Sequence, residues 1–434
     1  MAPPAIPVEA VVLADIAIVV AVCALLARLL RRLHQPPVVA EIAAGLLLGP
    51  SVLGLLPGDL PDHLFPADAR LPLSAIANLG LVLLMFLCGW ELDARQMRGA
   101  RGSVGAVAVL AMALPFALGG GFATLIRDQA PHGARPLAFV LFLATAFSIT
   151  AFPVLARLLR DQGLTRTRVG VMAMSSAALG DVVAWCVLVL VTAVAGGQKS
   201  GGFWVMLGWT AAFAAAMVLV VRPLLHRVLA RLNAVGNPGA ATAVVLCGIL
   251  FAAFATSWIG VHPIFGAFAF GLLMPRRTSA GAGLGDELMQ QVGVPLDRAA
   301  TLLLPVFFML TGLSVDIRHL GVSGLLLLVA ALLVASAGKF LGAGLPVRLA
   351  GLRGREALAF GTLMNTRGLT EIVVLGIGRQ LGLISGELFT VMVLVALLTT
   401  ALAGPVLRFL RITGPTSVPT PEPAVAPVRE VQTV

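Results

Sequence analysis

One carboxylate stands near the middle of a long apolar stretch of this sequence. Residues 169–195 form an apolar run of helix length, with twelve residues before Asp181 and fourteen after it. At about 1.5 Å of rise per residue, Asp181 would lie close to the midplane of a hydrocarbon layer ~30 Å thick. An ionised carboxylate at that depth costs several kcal/mol unless it is paired, hydrated or protonated. We therefore expect Asp181 to bind a proton, a cation or both.

A proline interrupts the apolar segment 136–159. Pro153 has no backbone N–H and disfavours helical geometry at the residue before it, and Ser148 and Thr150 lie just upstream. Two interpretations stay open, a simple proline kink or a helix interrupted at mid-depth. In the second, the first half would end in free carbonyls and the second would begin with free amides. Those carbonyls and the Thr150 hydroxyl would then offer oxygen ligands to Na⁺ or K⁺.

A second candidate break lies in segment 356–378, at Arg367-Gly368. Arg367 and Glu371 are four residues apart, so on continuous helix they share a face and can neutralise each other. We interpret them as a buried ion pair that stabilises the helix bundle. A direct substrate role for Glu371 is the alternative.

Lys339 lies inside segment 322–347, too far from the outer end for its side chain to reach water easily. A lysine buried in lipid loses its proton or finds a carboxylate, and Asp181 is the partner we expect. The alternative is a lysine tucked toward the cytoplasmic interface. Gly338 and Gly342, four residues apart, should let a neighbouring helix approach closely. Of the other acidic residues in apolar segments, Asp15 is expected to be solvated.

The composition places these residues in a membrane. Hydrophobic residues make up 59% of the 434 and charged residues only 12%, with a mean hydropathy of +1.00. A soluble domain carries roughly 25% charged residues, so we expect a polytopic membrane protein. The net charge of +10 comes from short arginine clusters between apolar runs, which does not indicate nucleic-acid binding. Neither a cofactor site nor the spacing of an enzyme's nucleophile and base is recognisable.

Thirteen apolar segments can be counted along the chain. Their approximate limits are 9–30, 37–56, 71–92, 103–126, 136–159, 169–195, 203–226, 239–258, 261–275, 299–315, 322–347, 356–378 and 384–409. The short segment 261–275 could instead pair with 239–258 as one bent unit. Of the thirty basic residues, 22 fall in the odd-numbered loops and the C-terminal tail and six in the even-numbered loops. This alternation predicts an N-terminus outside and a C-terminus in the cytoplasm.

The order of these features suggests an internal repeat. In the first half a broken-helix candidate precedes the helix that carries Asp181, and in the second half the helix of Lys339 precedes another broken-helix candidate. Paired interrupted helices in the two halves are typical of inverted-repeat transporters with a binding site at the midplane. The Pro-rich residues 413–434 are expected to form a disordered cytoplasmic tail.

Seven stretches, in order from the second apolar segment to the twelfth, resemble the second family of monovalent cation:proton antiporters, the Kef-type and bacterial sodium/proton exchanger-like group. The stretches are AEIAAGLLLGPSVLG (40–54), LGLVLLMFLCGWELD (79–93), TAFPVLARLLRDQGL (150–164), ALGDVVAW (178–185), HPIFGAFAFGLLMPR (262–276), LLPVFFMLTGLSVDI (303–317) and NTRGLTEIVVLGIG (365–378).

The resemblance implies an all-α, inverted-repeat sodium/proton antiporter fold of about thirteen transmembrane helices. Two discontinuous helices would cross in a core domain, beside a dimerisation domain that makes a homodimer in the inner (plasma) membrane. Within the membrane domain 1–412, we place the core at 71–195 and 299–378, the scaffold at 9–56 and 203–275, and a last span at 384–409.

The resemblance also implies roles for single residues. Asp181 would bind the proton and the cation alternately, Thr150 would lie at the first crossover, Lys339 would be the core lysine, and Arg367 with Glu371 the structural pair. The family usually has Asn or Asp where this chain has Gly180. With a single carboxylate on this helix, we favour exchange of one proton for one cation, although Lys339 could supply a second titrating group.

The function expected from sequence is therefore secondary active antiport of Na⁺ or K⁺ against H⁺ by alternating access, in contact with membrane lipid. Two alternatives stay open on the same scaffold. One is a cation channel or leak pathway. The other is an organic-anion transporter, which should place positive groups at the site rather than a lone aspartate.

Overall fold

The structure is a computed structural model that describes residues 7–32, 35–91, 103–164, 167–195, 201–276, 283–352 and 354–410. All regular elements within these ranges are helical. The tail expected at 413–434 lies outside the described residues. Runs rich in Leu, Ala and Val satisfy their backbone hydrogen bonds internally as helices, which is what a lipid environment requires.

Fifteen helices carry the description that follows. They are α1 (Val8–Arg31), α2 (Pro37–Leu48), α3 (Ala67–Glu91), α4 (Ser103–Leu125), α5 (Pro136–Ser148), α6 (Phe152–Asp161), α7 (Arg168–Ala195), α8 (Val205–Ala234), α9 (Pro238–Ile259), α10 (Pro263–Leu273), α11 (Leu284–Leu313), α12 (Gly321–Leu349), α13 (Gly354–Met364), α14 (Leu369–Gln380) and α15 (Gly386–Phe409). Within the described ranges, ten helices are long and apolar enough to cross a membrane. The all-helical membrane architecture is confirmed, and the count of thirteen spans stays a prediction.

The helices pack in two groups. The scaffold group joins α3 to α10 and α11, α11 to α2, α2 to α1, and α9 to α10. Its helices approach closely where glycines face each other, since a Cβ at Gly45 would be 2.3 Å from the Met309 carbonyl oxygen and one at Gly312 would meet Gly45. Glycine at these contacts allows backbone-to-backbone packing.

The core group joins α4 to α5 and α12, α5 to α7, α7 to α13, and α15 to α12 and α14. This grouping differs from the boundaries expected from sequence. Helices α3 and α11 pack in the scaffold group, although the resemblance predicts a core at 71–195 and 299–378. The last span, α15, packs within the core group. Apolar segments look alike in sequence, and only the packing tells which neighbour each one contacts.

Segments 239–258 and 261–275 are separate helices that form a tight hairpin. Gly260 turns the chain with a φ of 94°, and α10 runs back along α9 so that Gly266 faces Ala252 and Phe270 faces Gly248. The alternative of one bent unit is therefore wrong. Helix α10 has eleven residues, or about 16 Å, which is too short to cross a ~30 Å hydrocarbon layer.

Asp15 lies on the buried face of α1 together with Val12, Val19 and Cys23. It is 2% exposed, so the expectation that it is solvated is wrong. The spacing of three and four residues between these positions places Asp15 on the helix face that packs against α3 and α11.

Candidate functional site

Both candidate breaks are real interruptions of the helix. Helix α5 ends at Ser148 and α6 begins at Phe152, with an extended backbone between them. Pro153 is therefore in the first turn of α6, where its missing N–H is of no consequence. In the second half, α13 ends at Met364 and α14 begins at Leu369. The simple proline kink is thus excluded for the first break.

The two breaks cross and hydrogen-bond to each other. The backbone amide of Ala151 donates to the carbonyl of Thr366 at 3.2 Å. The hydroxyl of Thr150 donates to the carbonyl of Met364, the last residue of α13, at 2.7 Å. Backbone groups that the helices leave free at mid-depth are thereby satisfied inside the protein, as hydrocarbon surroundings demand.

Lys339 binds the end of α5 rather than Asp181. Its side chain is fully buried, and Nζ donates to the Ser148 carbonyl at 2.5 Å, to the Thr150 hydroxyl at 2.8 Å and to the Ala111 carbonyl at 3.4 Å. Among the described residues, no ion pair within 4.0 Å joins Lys339 to Asp181. The direct ion pair expected with Asp181 is therefore not formed, although the two charges still attract each other. The alternative of a lysine at the cytoplasmic interface is excluded because the side chain is fully buried at the crossing.

The backbone around Lys339 is irregular and packs closely against α4. A π-helical turn, Phe340–Gly344, follows it directly in α12. Gly338 and Gly342 lie against α4, with a Cβ at Gly338 3.0 Å from Pro115 and one at Gly342 2.8 Å from the Leu110 carbonyl oxygen. The close approach predicted from their spacing is confirmed.

Arg367 binds the other carbonyls at the end of α5. Its guanidinium donates to the carbonyls of Ala146 at 3.0 Å and Phe147 at 2.9 Å, and to Glu371 Oε1 at 2.7 Å. Both charged side chains are fully buried. The predicted Arg367–Glu371 pair is thus confirmed as an ion pair. Its arginine also closes the end of a helix in the other half of the chain.

The second break depends on one glycine and one hydroxyl. Gly368 has a φ of 153° and a ψ of −119°, a conformation that side chains disfavour, and a Cβ there would be 3.0 Å from Val154. The amide of Arg367 donates to Thr400 Oγ1 at 2.8 Å, and the Thr400 hydroxyl donates to the Arg367 carbonyl at 2.5 Å. The predicted break at Arg367-Gly368 is confirmed.

Asp181 faces the start of α6. The Phe152 amide donates a hydrogen bond to its carboxylate. The side chain is 7% exposed, and Oδ1 is buried with no hydrogen-bond partner. One carboxylate oxygen is therefore held by the protein while the other is free to take a proton or a cation.

The charges match the helix ends that they face. The carbonyls that end α5 carry partial negative charge, and two cations, Lys339 and Arg367, donate to them. The amides that begin α6 carry partial positive charge, and the Asp181 carboxylate accepts from the first of them. The crossing is thus electrostatically ordered, and both carboxylates there have one oxygen without a hydrogen-bond partner. Glu371 is already paired with Arg367 through its other oxygen, whereas Asp181 is in no ion pair within 4.0 Å among the described residues.

The hydroxyl of Thr150, the predicted cation ligand, already makes two hydrogen bonds. It accepts from Lys339 and donates to the Met364 carbonyl. In this arrangement an ammonium group occupies the oxygens of Ser148 and Thr150 that the sequence suggested for Na⁺ or K⁺. The oxygens of Ser148 and Thr150 do lie at the crossing, and the cation bound to them is the ammonium group of Lys339.

Sequence reasoning missed Asn365 and Ser336. Asn365 lies in the second break, is 7% exposed, and donates from Nδ2 to Ser336 Oγ at 3.3 Å, while its Oδ1 is buried without a partner. Ser336 is one helical turn before Lys339 on α12. A signal did exist, since an amide side chain two residues before Arg367 is unusual within an apolar span.

A cavity of about 290 Å³ lies between α4, α5 and α7. Leu179 and Val183 line it on either side of Asp181 in sequence, and Met112 and Ser148 line it from the other helices. Its lining is almost entirely apolar, and it is open on one side. Asp181 does not line this cavity, which agrees with its low exposure.

Comparison with known proteins gives a consistent result. The family described as "Sodium/hydrogen exchanger, transmembrane" matches residues 18–412. The Na(+)/H(+) antiporter NhaS4 of Synechocystis sp. is 36% identical over 400 residues, which cover 91% of this chain and 95% of the relative. Cation/H(+) antiporter 20 of Arabidopsis thaliana is 37% identical over 408 residues, which cover 90% of this chain and 47% of the relative. The chain thus spans about half the length of this plant relative.

The fold is also found among solved structures. The sodium proton antiporter MjNhaP1 from Methanocaldococcus jannaschii matches with a TM-score of 0.65, covering 93% of this chain and 99% of its own, at 14% sequence identity. At that identity the match concerns the fold alone. It confirms the antiporter fold expected from the sequence.

Proposed function

Because the chain belongs to the transmembrane sodium/hydrogen exchanger family, a family of transporters and not of enzymes, we propose that it is a secondary active antiporter. It exchanges a monovalent cation, Na⁺ or K⁺, for H⁺ across the membrane by alternating access. Asp181 is the ligand that the two ions share. Asp181 binds one ion or the other at a time. The site changes its access from one side of the membrane to the other only with one of them bound, so the flux of the cation is coupled to that of the proton.

The observation that carries this proposal is the free oxygen of Asp181. The side chain accepts a hydrogen bond from the Phe152 amide at the start of α6, and its other oxygen is too buried to be hydrated by bulk water. A carboxylate oxygen in that position strongly requires a positive partner. A proton and a small cation both satisfy it, and each excludes the other. An organic anion would be repelled by the same carboxylate, which argues against the anion-transporter alternative.

Lys339 and Thr150 act with Asp181 in this proposal. The Lys339 ammonium supplies positive charge to the crossing while no cation is bound. When Na⁺ or K⁺ arrives, it competes with the ammonium for the oxygens, and Thr150 joins Asp181 in binding the cation. Groups coupled in this way titrate as a set rather than singly.

We further propose exchange of one proton for one cation. Gly180, just before Asp181, adds no second carboxylate, and a Cβ placed there would be 3.7 Å from the Met112 sulfur, an ordinary contact.

The remaining features of the proposal rest on the family resemblance, for the dimer, and on the charge pattern of the loops, for the orientation. The protein is a homodimer in the inner (plasma) membrane, with its N-terminus outside and its C-terminus in the cytoplasm. The excess of arginine in alternate loops supports this orientation.

The test is uphill exchange in proteoliposomes. Purified protein is reconstituted with a pH-sensitive dye inside, and a pH gradient is imposed at equal cation concentrations on both sides. We expect the gradient to accumulate labelled Na⁺ or K⁺ above its equilibrium level, even with the membrane potential clamped at zero. Cation flux that only dissipates its own gradient would establish the channel alternative and overturn antiport.

A further inference from the structure

The second break carries a group that the proposed function has not used. Asn365 Oδ1 and Asp181 Oδ1 are both buried with no hydrogen-bond partner, and both residues are 7% exposed. On α14, just past the second break, Thr370 Oγ1 and Glu371 Oε2 are also buried without a partner. A buried amide oxygen without a donor loses the hydrogen bond that water would give it, and such groups are rare in folded proteins.

The backbone on both sides of Asn365 is tied to the first break. Met364, before it, accepts from the Thr150 hydroxyl, and Thr366, after it, accepts from the Ala151 amide. Asn365 thus lies between two residues that hydrogen-bond directly to the first break. The first break continues into Phe152, whose amide donates to Asp181.

The side chain of Asn365 is oriented from α12. Its Nδ2 donates to Ser336 Oγ, and Lys339, one turn further along the same helix, donates to Thr150. The amide is therefore anchored by its nitrogen, which leaves its oxygen as the available atom. An amide carbonyl is a hard oxygen donor of the kind that Na⁺ and K⁺ prefer, and it adds no charge that would have to be neutralised.

We infer that Asn365 is a further cation ligand of this site, supplying its side-chain oxygen beside Asp181. The inference rests on the proposed antiport function and adds a neutral ligand to it. A neutral oxygen helps to bind a metal cation and contributes little to binding a proton on Asp181. Asn365 therefore raises the affinity of the site for the cation relative to its affinity for the proton.

The experiment measures the apparent KM for Na⁺ and for K⁺ in proteoliposomes, together with the rise in melting temperature that each cation gives the detergent-solubilised protein. For Asn365→Ala we expect the KM of the transported cation to rise about tenfold or more, with kcat changed less, and the cation-dependent rise in melting temperature to shrink in parallel. An unchanged KM would overturn the inference.

Two further variants distinguish a direct cation ligand from a residue that only positions the site. Ser336→Ala removes the group that holds the amide nitrogen and keeps the oxygen, so we expect its KM to stay within about threefold of the unchanged protein. An equal rise in both alanine variants would assign Asn365 a positioning role through Ser336 and overturn ligation. Asn365→Asp keeps an oxygen in place, so its KM at alkaline pH should equal or fall below that of the unchanged protein. A rise as large as that of Asn365→Ala would contradict the inference.

Transport by the unchanged protein distinguishes failure of the proposed function from failure of the proposed role of Asn365. If it exchanges no proton for Na⁺, K⁺ or Li⁺, the proposed function fails. If it exchanges them and Asn365→Ala does so with the same KM, only the role of Asn365 fails.

Discussion

The ammonium of Lys339 donates to the hydroxyl of Thr150 across 2.8 Å, although the two residues are 189 positions apart. Thr150 in turn donates to Met364 at the second break. A lysine of the second half, the break of the first half and the break of the second half are therefore one hydrogen-bonded unit. Any change in Lys339 should be felt at both breaks.

Replacement of Lys339 tests this unit. Lys339→Met keeps the length of the side chain and removes the charge and the donors, which leaves the Ser148 carbonyl unsatisfied. We expect destabilisation by about 1–3 kcal/mol, measured as a lower melting temperature in detergent. Saturating Na⁺ or K⁺ should restore more stability to this variant than to the unchanged protein, since the cation no longer competes with an ammonium.

Lys339→Gln is the matched control, because its amide can still donate to Ser148 and Thr150. It should retain more of the stability than Lys339→Met. Equal melting temperatures for both variants and the unchanged protein would mean that the contacts of Lys339 contribute nothing.

The Arg367–Glu371 pair is expected to be structural. Arg367→Met leaves the Glu371 carboxylate buried without its partner and two α5 carbonyls without a donor, for a cost of about 3–5 kcal/mol. Glu371→Gln leaves Arg367 with both carbonyls and should cost clearly less. Thermal melting gives the order, and transport assays should find the Glu371→Gln protein active. A folded Glu371→Gln protein that binds no cation would instead give Glu371 a direct substrate role.

Two glycines should respond oppositely to a single methyl group. Gly368→Ala places a Cβ 3.0 Å from Val154 at a φ of 153°, so we expect destabilisation of at least about 1 kcal/mol. Gly180→Ala, inside continuous helix with its Cβ 3.7 Å from Met112, should be neutral or stabilising by up to about 1 kcal/mol. The reverse order of melting temperatures would refute the backbone geometry assigned to the second break.

Much of the site was predictable because lipid makes polar residues conspicuous. Pro153 and Arg367-Gly368 are unusual in apolar spans, and both mark real breaks. The Arg367–Glu371 pair followed from a spacing of four residues, since both members lie close together in sequence. Local rules thus worked where the interaction was local.

The predictions that did not hold concern residues and helices whose partners lie far away in the sequence. Asp181 was the expected partner of Lys339 because unlike charges attract, but three oxygens at the crossing satisfy the ammonium instead. Asp15 was expected in water because it lies near the outer end of the first helix, but the packing of α1 against other helices buries it. The grouping of α3 and α11 with the scaffold likewise depends on contacts between helices that are alike in composition.

The most direct measurement compares the unchanged protein with Asp181→Asn in proteoliposomes that report proton flux when Na⁺ or K⁺ is added. Asparagine keeps the size of the side chain and can still accept from the Phe152 amide, so folding should survive, as the melting temperature will verify. The account predicts cation-induced proton flux at the level of protein-free liposomes and no stabilisation of the variant by either cation. Coupled exchange that persists in a folded Asp181→Asn protein would contradict it.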